Sequence, residues 1–206
     1  MYDKSEKKKL EKFITKYFGK IKTTIKEAVE ITGVEIALVS PTKSMPYYKL
    51  VTMGMGDKKM NVPADFQGKT PERIELCFYL HETWNIGEIA KSMKYGWPVE
   101  VLQKLSAYPE KSGGWLAHGH TLNNNSPICD FVDYTAFLLL SAITASEFVP
   151  NCKVSPDKEV GFLLCYPIFT EELEFKNSNS ALDLINKIDD ADFPVVKNER
   201  MNYGKF

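Results

Sequence analysis

A chain of 206 residues with 44% hydrophobic and 26% charged residues has the make-up of one ordinary globular domain, long enough to bury a core. Its 26 basic and 27 acidic side chains leave a formal charge of −1, which gives no electrostatic reason to expect nucleic acid or an anionic membrane as the main partner. The longest apolar run, Ala136 to Ile143, is far shorter than the ~20 residues a membrane helix requires.

No apolar run follows the lysines at the start (Lys4, Lys7, Lys8, Lys9), so no secretory signal is expected, and those lysines read as the solvated face of a first helix. Cys77, Cys129, Cys152 and Cys165 form no CxxC pair, and three of them sit among apolar neighbours. Buried thiols in a reducing cytoplasm are the expectation, not a disulfide framework. No repeat or linker divides the chain, so residues 1–206 are taken as a single domain.

In chain order, the first thirty residues read as helix. Leu10, Phe13, Ile14, Tyr17 and Phe18 recur at three and four, and Ile21, Ile25 and Val29 continue the stripe past a break at Gly19. Gly33 closes this N-terminal segment. Val34–Val39, Tyr47–Gly54 and Arg73–Leu80 then read as strands. Between Asn85 and Tyr108 the period turns helical, with Pro98 at a first helical position and Tyr108-Pro109 as the stop. After a turn at Lys111–Gly114, Trp115–Leu122 reads as a strand, Asn123–Pro127 as a polar loop, and Tyr134–Ile143 and Val160–Phe169 as central strands. Thr170 can cap a helical turn, Ala181–Ile188 is amphipathic, and residues 189–206 read as a loosely held polar tail. Six strands flanked by helices, without strict alternation, predict an α+β fold with a mixed or antiparallel sheet.

Three constellations invite chemistry. Met53-Gly54-Met55-Gly56 lacks P-loop spacing, and its methionines have no histidine or cysteine beside them. Strand alternation sends both methionines to the core and leaves Gly54 and Gly56 as bare backbone open to another chain. His118 and His120, two apart, would share one side of a strand, an acceptable start for a metal site. Zinc needs at least a third protein ligand, and only His81, Cys129 and scattered carboxylates are left to supply it. A metal-binding protein or metal-dependent enzyme using His118 and His120 is therefore the alternative reading. No GxSxG, HExxH or activated cysteine is present, so no catalytic set, cofactor or enzymatic activity is expected.

Taken in order, the blocks LVTMGMGDKKMNVP (Leu50–Pro63), IELCFYL (Ile74–Leu80), WPVEVLQKLSAYP (Trp97–Pro109), WLAHGHTL (Trp115–Leu122) and GFLLCYPIFTEELEF (Gly161–Phe175) resemble the Suppressor of fused family in its compact bacterial form. That resemblance implies a binding protein. The animal relative sequesters zinc-finger transcription factors by adding a ligand peptide as a strand between two domains, of which this chain resembles the N-terminal one. Bacterial members are regarded as immunity proteins against polymorphic toxins. The strand holding His118, His120 and Thr121 matches the animal pattern GDHVSWHSP, with His120 at its first histidine and Gly119 in place of its aspartate. The expected function is thus a cytoplasmic module that masks a protein partner. Its contacts are expected at Trp115, His118, His120, Thr121, Asn123, Asn124 and Asn125, where polar loop and aromatic residues combine.

Overall fold

The computed structural model describes residues 1–26 and 33–205. Helix α1 (Lys4–Tyr17) starts at a reciprocal cap: Asp3 accepts from the Ser5 and Glu6 amides, and Glu6 accepts from the Asp3 amide. Its apolar stripe buries Leu10 and Ile14 completely. Gly19, at φ 118°, then turns the chain out of the helix. Residues 21–25 do not continue it, contrary to the helical stripe expected from Ile21 and Ile25. They form strand β1 (Ile21–Ile25), because four of its five residues are β-branched and Gly19 has already broken the register. Val29 lies outside the described residues.

Strands β2 (Glu35–Val39), β3 (Tyr48–Met53) and β4 (Ile74–Leu80) follow as expected. Each pairs antiparallel with the one before, from Ile25↔Ile36 through Ala37↔Val51 to Leu50↔Phe78. Helix α2 (Met93–Ser106) begins five residues before Pro98, so that proline is interior. A proline there cannot donate to the carbonyl four residues back. Asn198 repairs the gap: its side-chain amide donates to the Lys94 carbonyl at 2.9 Å. Helix α2 ends at Ser106, just before Tyr108-Pro109, where the stop is expected. A short α3 (Tyr108–Ser112) follows and ends at Gly113 in the left-handed conformation.

Strand β5 is only Thr121–Asn123, and β6 (Ala136–Ser141), β7 (Cys152–Ser155) and β8 (Lys158–Ile168) complete the sheet. The eight strands run β1-β2-β3-β4-β8-β6-β5, with β7 paired to the start of β8. Only β4–β8 is parallel among the described pairs, and eight strands replace the expected six because β1 and β7 were not anticipated. Helices α4 (Thr170–Ser178) and α5 (Ala181–Lys187) follow β8.

Helices cover both faces of the sheet. Tyr79 meets Phe18 just past α1, while its neighbour Phe78 meets Trp97 of α2, and adjacent strand residues face opposite ways. That explains why all seven residues of β4 are buried.

The segment after residue 188 is held, not loose. Val195 and Val196 are buried, and the Val196 amide and carbonyl bond Tyr79 and His81 at the end of β4. Arg200 forms a buried bidentate pair with Glu172 of α4 at 2.6 Å while lying among the rings of Tyr134, Tyr166 and Phe169. Polar composition concealed these anchors, because each depends on one residue meeting a distant partner.

Candidate protein-binding edge

Trp115 to His120 is a loop, not the expected strand. The chain tightens at Gly119 (φ 82°), with the His120 amide bonded to the Ala117 carbonyl at 3.1 Å. The two histidines therefore do not share a strand face. His118 is exposed, and its Nδ1 accepts the Ser141 amide at 3.0 Å. His120 is half-buried with its ring 4.5 Å from that of Trp115, edge to face. Burial holds the His120 imidazole below its ordinary value, and the charge of Lys176 acts in the same direction. Among the described residues no group of three or more His, Cys, Asp or Glu side chains could hold a metal ion.

Trp115 also meets a second ring. Phe66, nearly half exposed at 47%, lies tilted against it with the centroids 5.0 Å apart. The Leu116 amide points to the Met60 sulfur at 3.4 Å, which ties the segment after the Met-Gly motif to this loop. Thr121 and Asn123 open and close β5, and Lys176 reaches the Thr121 hydroxyl at 3.4 Å. Asn123 accepts the Asn125 amide at 2.8 Å, the Asn124 amide donates to the Thr135 carbonyl, and Asn125 takes φ 60°. All three asparagines are exposed but held in a defined turn. β5 is the last strand of the sheet and pairs only with β6 among the described strands. The structure thus gathers the seven expected residues along one open edge, flanked by an aromatic shelf that Phe66 completes. Phe66 was missed because it lies 49 positions before Trp115, and nothing local marks it.

The Met-Gly motif serves another purpose. Met53 and Met55 are buried as expected, but Gly54 and Gly56 are not open to another chain. Their amides donate to one oxygen of Glu75, at 2.9 and 3.1 Å, and the Tyr2 hydroxyl reaches the same oxygen at 2.9 Å. Thr52 donates to the other at 2.5 Å. A side chain at Gly54 would meet the Gly33 carbonyl at 2.7 Å, and one at Gly56 the Tyr2 hydroxyl at 2.5 Å. The glycines cradle an internal carboxylate. Glu75 is fully buried, and burial pushes its carboxyl up to about 7 against the pull of its four donors. A lone acid inside the otherwise apolar run IELCFYL is the sequence signal that could have revealed it.

The family model for Suppressor of fused protein (SUFU) matches residues 29–200. The chain belongs to the Suppressor of fused family. A chain of the Sufu–Fu complex crystal structure superposes with a TM-score of 0.69 at 14% identity, covering 98% of this chain and 93% of that one. Drosophila Suppressor of Fused gives 0.60 at 16% identity over 84% of this chain and 43% of its own, so this chain spans less than half of that protein. A SUFU homolog from Neisseria gonorrhoeae FA 1090 gives 0.57 at 14% identity, covering 96% of both. Curated proteins yield no match. At these identities the structural likenesses establish the α+β fold, and the family model establishes the membership.

Proposed function

We propose that the protein is a binding module that sequesters a protein partner, and that the partner is a toxin domain it neutralises as an immunity protein in the cytoplasm. The observation that carries this reading is the open β5 edge beside the Phe66–Trp115–His120 shelf. An exposed strand edge offers backbone groups to an incoming strand, and adjacent aromatic side chains anchor it. Support also comes from the Sufu–Fu complex, in which a protein of the same fold holds a protein partner. Action by occupation, not by chemistry, is our reading of the side chains. Cys77, Cys152 and Cys165 are buried thiols held above their ordinary value, and so poorly suited to act as nucleophiles. The metal alternative gains nothing from the geometry, since Nδ1 of His118 is engaged and His120 packs on Trp115.

Co-expression with any toxin domain that a neighbouring gene encodes tests the reading. A matched toxin should lose its effect on growth and co-purify with the protein, and both should be lost in Trp115→Ala. Toxicity that persists against every neighbouring toxin, with no co-purifying protein, would refute it.

A further inference from the structure

The opposite end of the sheet carries a second open edge of quite different character. Nine lysines fall within the first 26 residues against three carboxylates (Asp3, Glu6 and Glu11), in a chain whose total is 26 basic and 27 acidic. Two of those carboxylates are committed elsewhere: Asp3 caps α1, and Glu6 pairs with Lys158 at 3.0 Å. Several of the lysines are committed as well, Lys7 to Glu35, Lys9 to the Val154 carbonyl and Lys16 over the Tyr17 ring. Lys8, Lys12, Lys20 and Lys22 are exposed and make no ion pair among the described residues.

Two of them, Lys8 and Lys12, line a groove. It measures about 500 Å³ and is lined by Lys8, Glu11, Lys12 and Thr15 of α1 and by Ile21 and Thr24 of β1. The register shift between Ile21 and Thr23 explains its floor. An extra residue there lets Ile21 and Thr24, three apart, both turn towards α1. β1 pairs only with β2, and among the described residues no strand pairs with its outer edge along the groove. Lysines on an edge strand are a known guard against unwanted pairing. That accounts for Lys20 and Lys22, but it accounts neither for a lysine wall across the groove on α1 nor for the apolar floor at Ile21.

We propose that this groove is a second docking site, which takes an extended acidic segment of a partner protein as a strand added to β1. Backbone pairing supplies the register, Ile21 an apolar contact, and Lys8 and Lys12 the counter-charge, with Glu11 the one carboxylate among the described lining residues. A protein segment fits better than nucleic acid, because the groove offers no exposed ring for base stacking. Phe13 and Tyr17 instead pack on each other, and Phe13 also stacks on Phe162. The proposal rests on the protein being a binding module but not on the β5 edge.

The test uses the full chain and a fluorescein-labelled peptide of about ten residues alternating glutamate with valine. Three further probes are compared: the lysine–valine counterpart, the glutamate peptide N-methylated at alternate residues, and an oligothymidine of similar length. The glutamate peptide should bind with an affinity that falls as salt rises. K8E/K12E should weaken it about tenfold or more, while Trp115→Ala leaves it unchanged. Both lysines are exposed, so the double variant should keep the wild-type melting temperature. Equal binding by the N-methylated peptide would overturn strand addition. Preferential binding of the oligothymidine, or indifference to K8E/K12E, would overturn the site. A protein whose toxin neutralisation needs Trp115 but whose groove ignores the peptide would retain its proposed function and lose only this inference.

Discussion

Glu75 gives the fold an acid-favouring term that can be measured. Its folded-state value of about 7 lies above the 4.5 of an unfolded glutamate. The sign follows directly: the folded state prefers the protonated form, so the stabilisation is complete below pH 4.5 and is lost as pH rises through 7. At ~1.4 kcal/mol per pH unit the whole displacement is worth about 3 kcal/mol, of which about 2–3 is lost between about pH 5 and pH 8. The perturbation is Glu75→Gln. Its amide oxygen can still accept from Gly54, Gly56 and Tyr2, and its NH₂ can donate to the Thr52 oxygen, which already accepts the Leu76 amide. Ionisation is removed while most of the cradle is kept. Urea denaturation followed by tryptophan fluorescence, on both proteins at both pH values, isolates the term. Asp57, whose partners Lys158 and the Met1 amino group hold it below the ordinary range, contributes the opposite slope to both and cancels in the difference. The stability of the wild type relative to Glu75→Gln should fall by about 2–3 kcal/mol from the lower pH to the higher. A pH-independent difference, or a wild type that gains on the variant as pH rises, would show that the four donors outweigh burial and would refute the reasoning.

Three further outcomes rest on single contacts. Gly54→Val should cost more than about 2 kcal/mol in the same denaturation assay, because φ 140° and the Gly33 carbonyl at 2.7 Å both exclude a side chain. Asn198→Ala should cost about 2–3 kcal/mol, since it strips the Lys94 carbonyl and the Trp97 indole N–H of their partner. Pro98→Ala should return part of that loss by restoring a helical donor, which a double-mutant cycle will read as coupling. Arg200→Met and Glu172→Met should each cost about 3–5 kcal/mol, and their combination clearly less than the sum, because each single change strands a buried charge.

The sequence patterns that carried over to the structure were those set by local chemistry. β-Branched and apolar runs gave β2, β3, β4, β6 and β8, and the three-four spacing of Leu10 and Ile14 gave α1. Where expectation and structure part, a distant group decides. Pro98 sits inside α2 because Asn198, a hundred residues on, satisfies the carbonyl it orphans. The C-terminal segment is fastened by Val196 on β4 and Arg200 on Glu172, neither visible in composition. Gly119 turns what read as a strand into a loop, so His118 and His120 part company, and β1 emerges where Ile21 and Ile25 mimicked a helical stripe. The candidate edge was legible as a cluster because its residues all fall between Trp115 and Asn125. Phe66 and the Glu75 cradle were not, since each joins segments far apart in the chain: Phe66 meets Trp115 by a contact between loops, and Glu75 reaches Gly54 through the pairing of β3 with β4.

The central claim is that a protein partner is captured at the β5 edge. Amide hydrogen exchange, compared between the free protein and its complex with the neutralised toxin domain, tests it most directly. The account predicts new protection at Thr121–Asn123 and across Trp115–Asn125, lost together with the complex in Trp115→Ala. Unchanged exchange along that edge in a complex that still forms would contradict it.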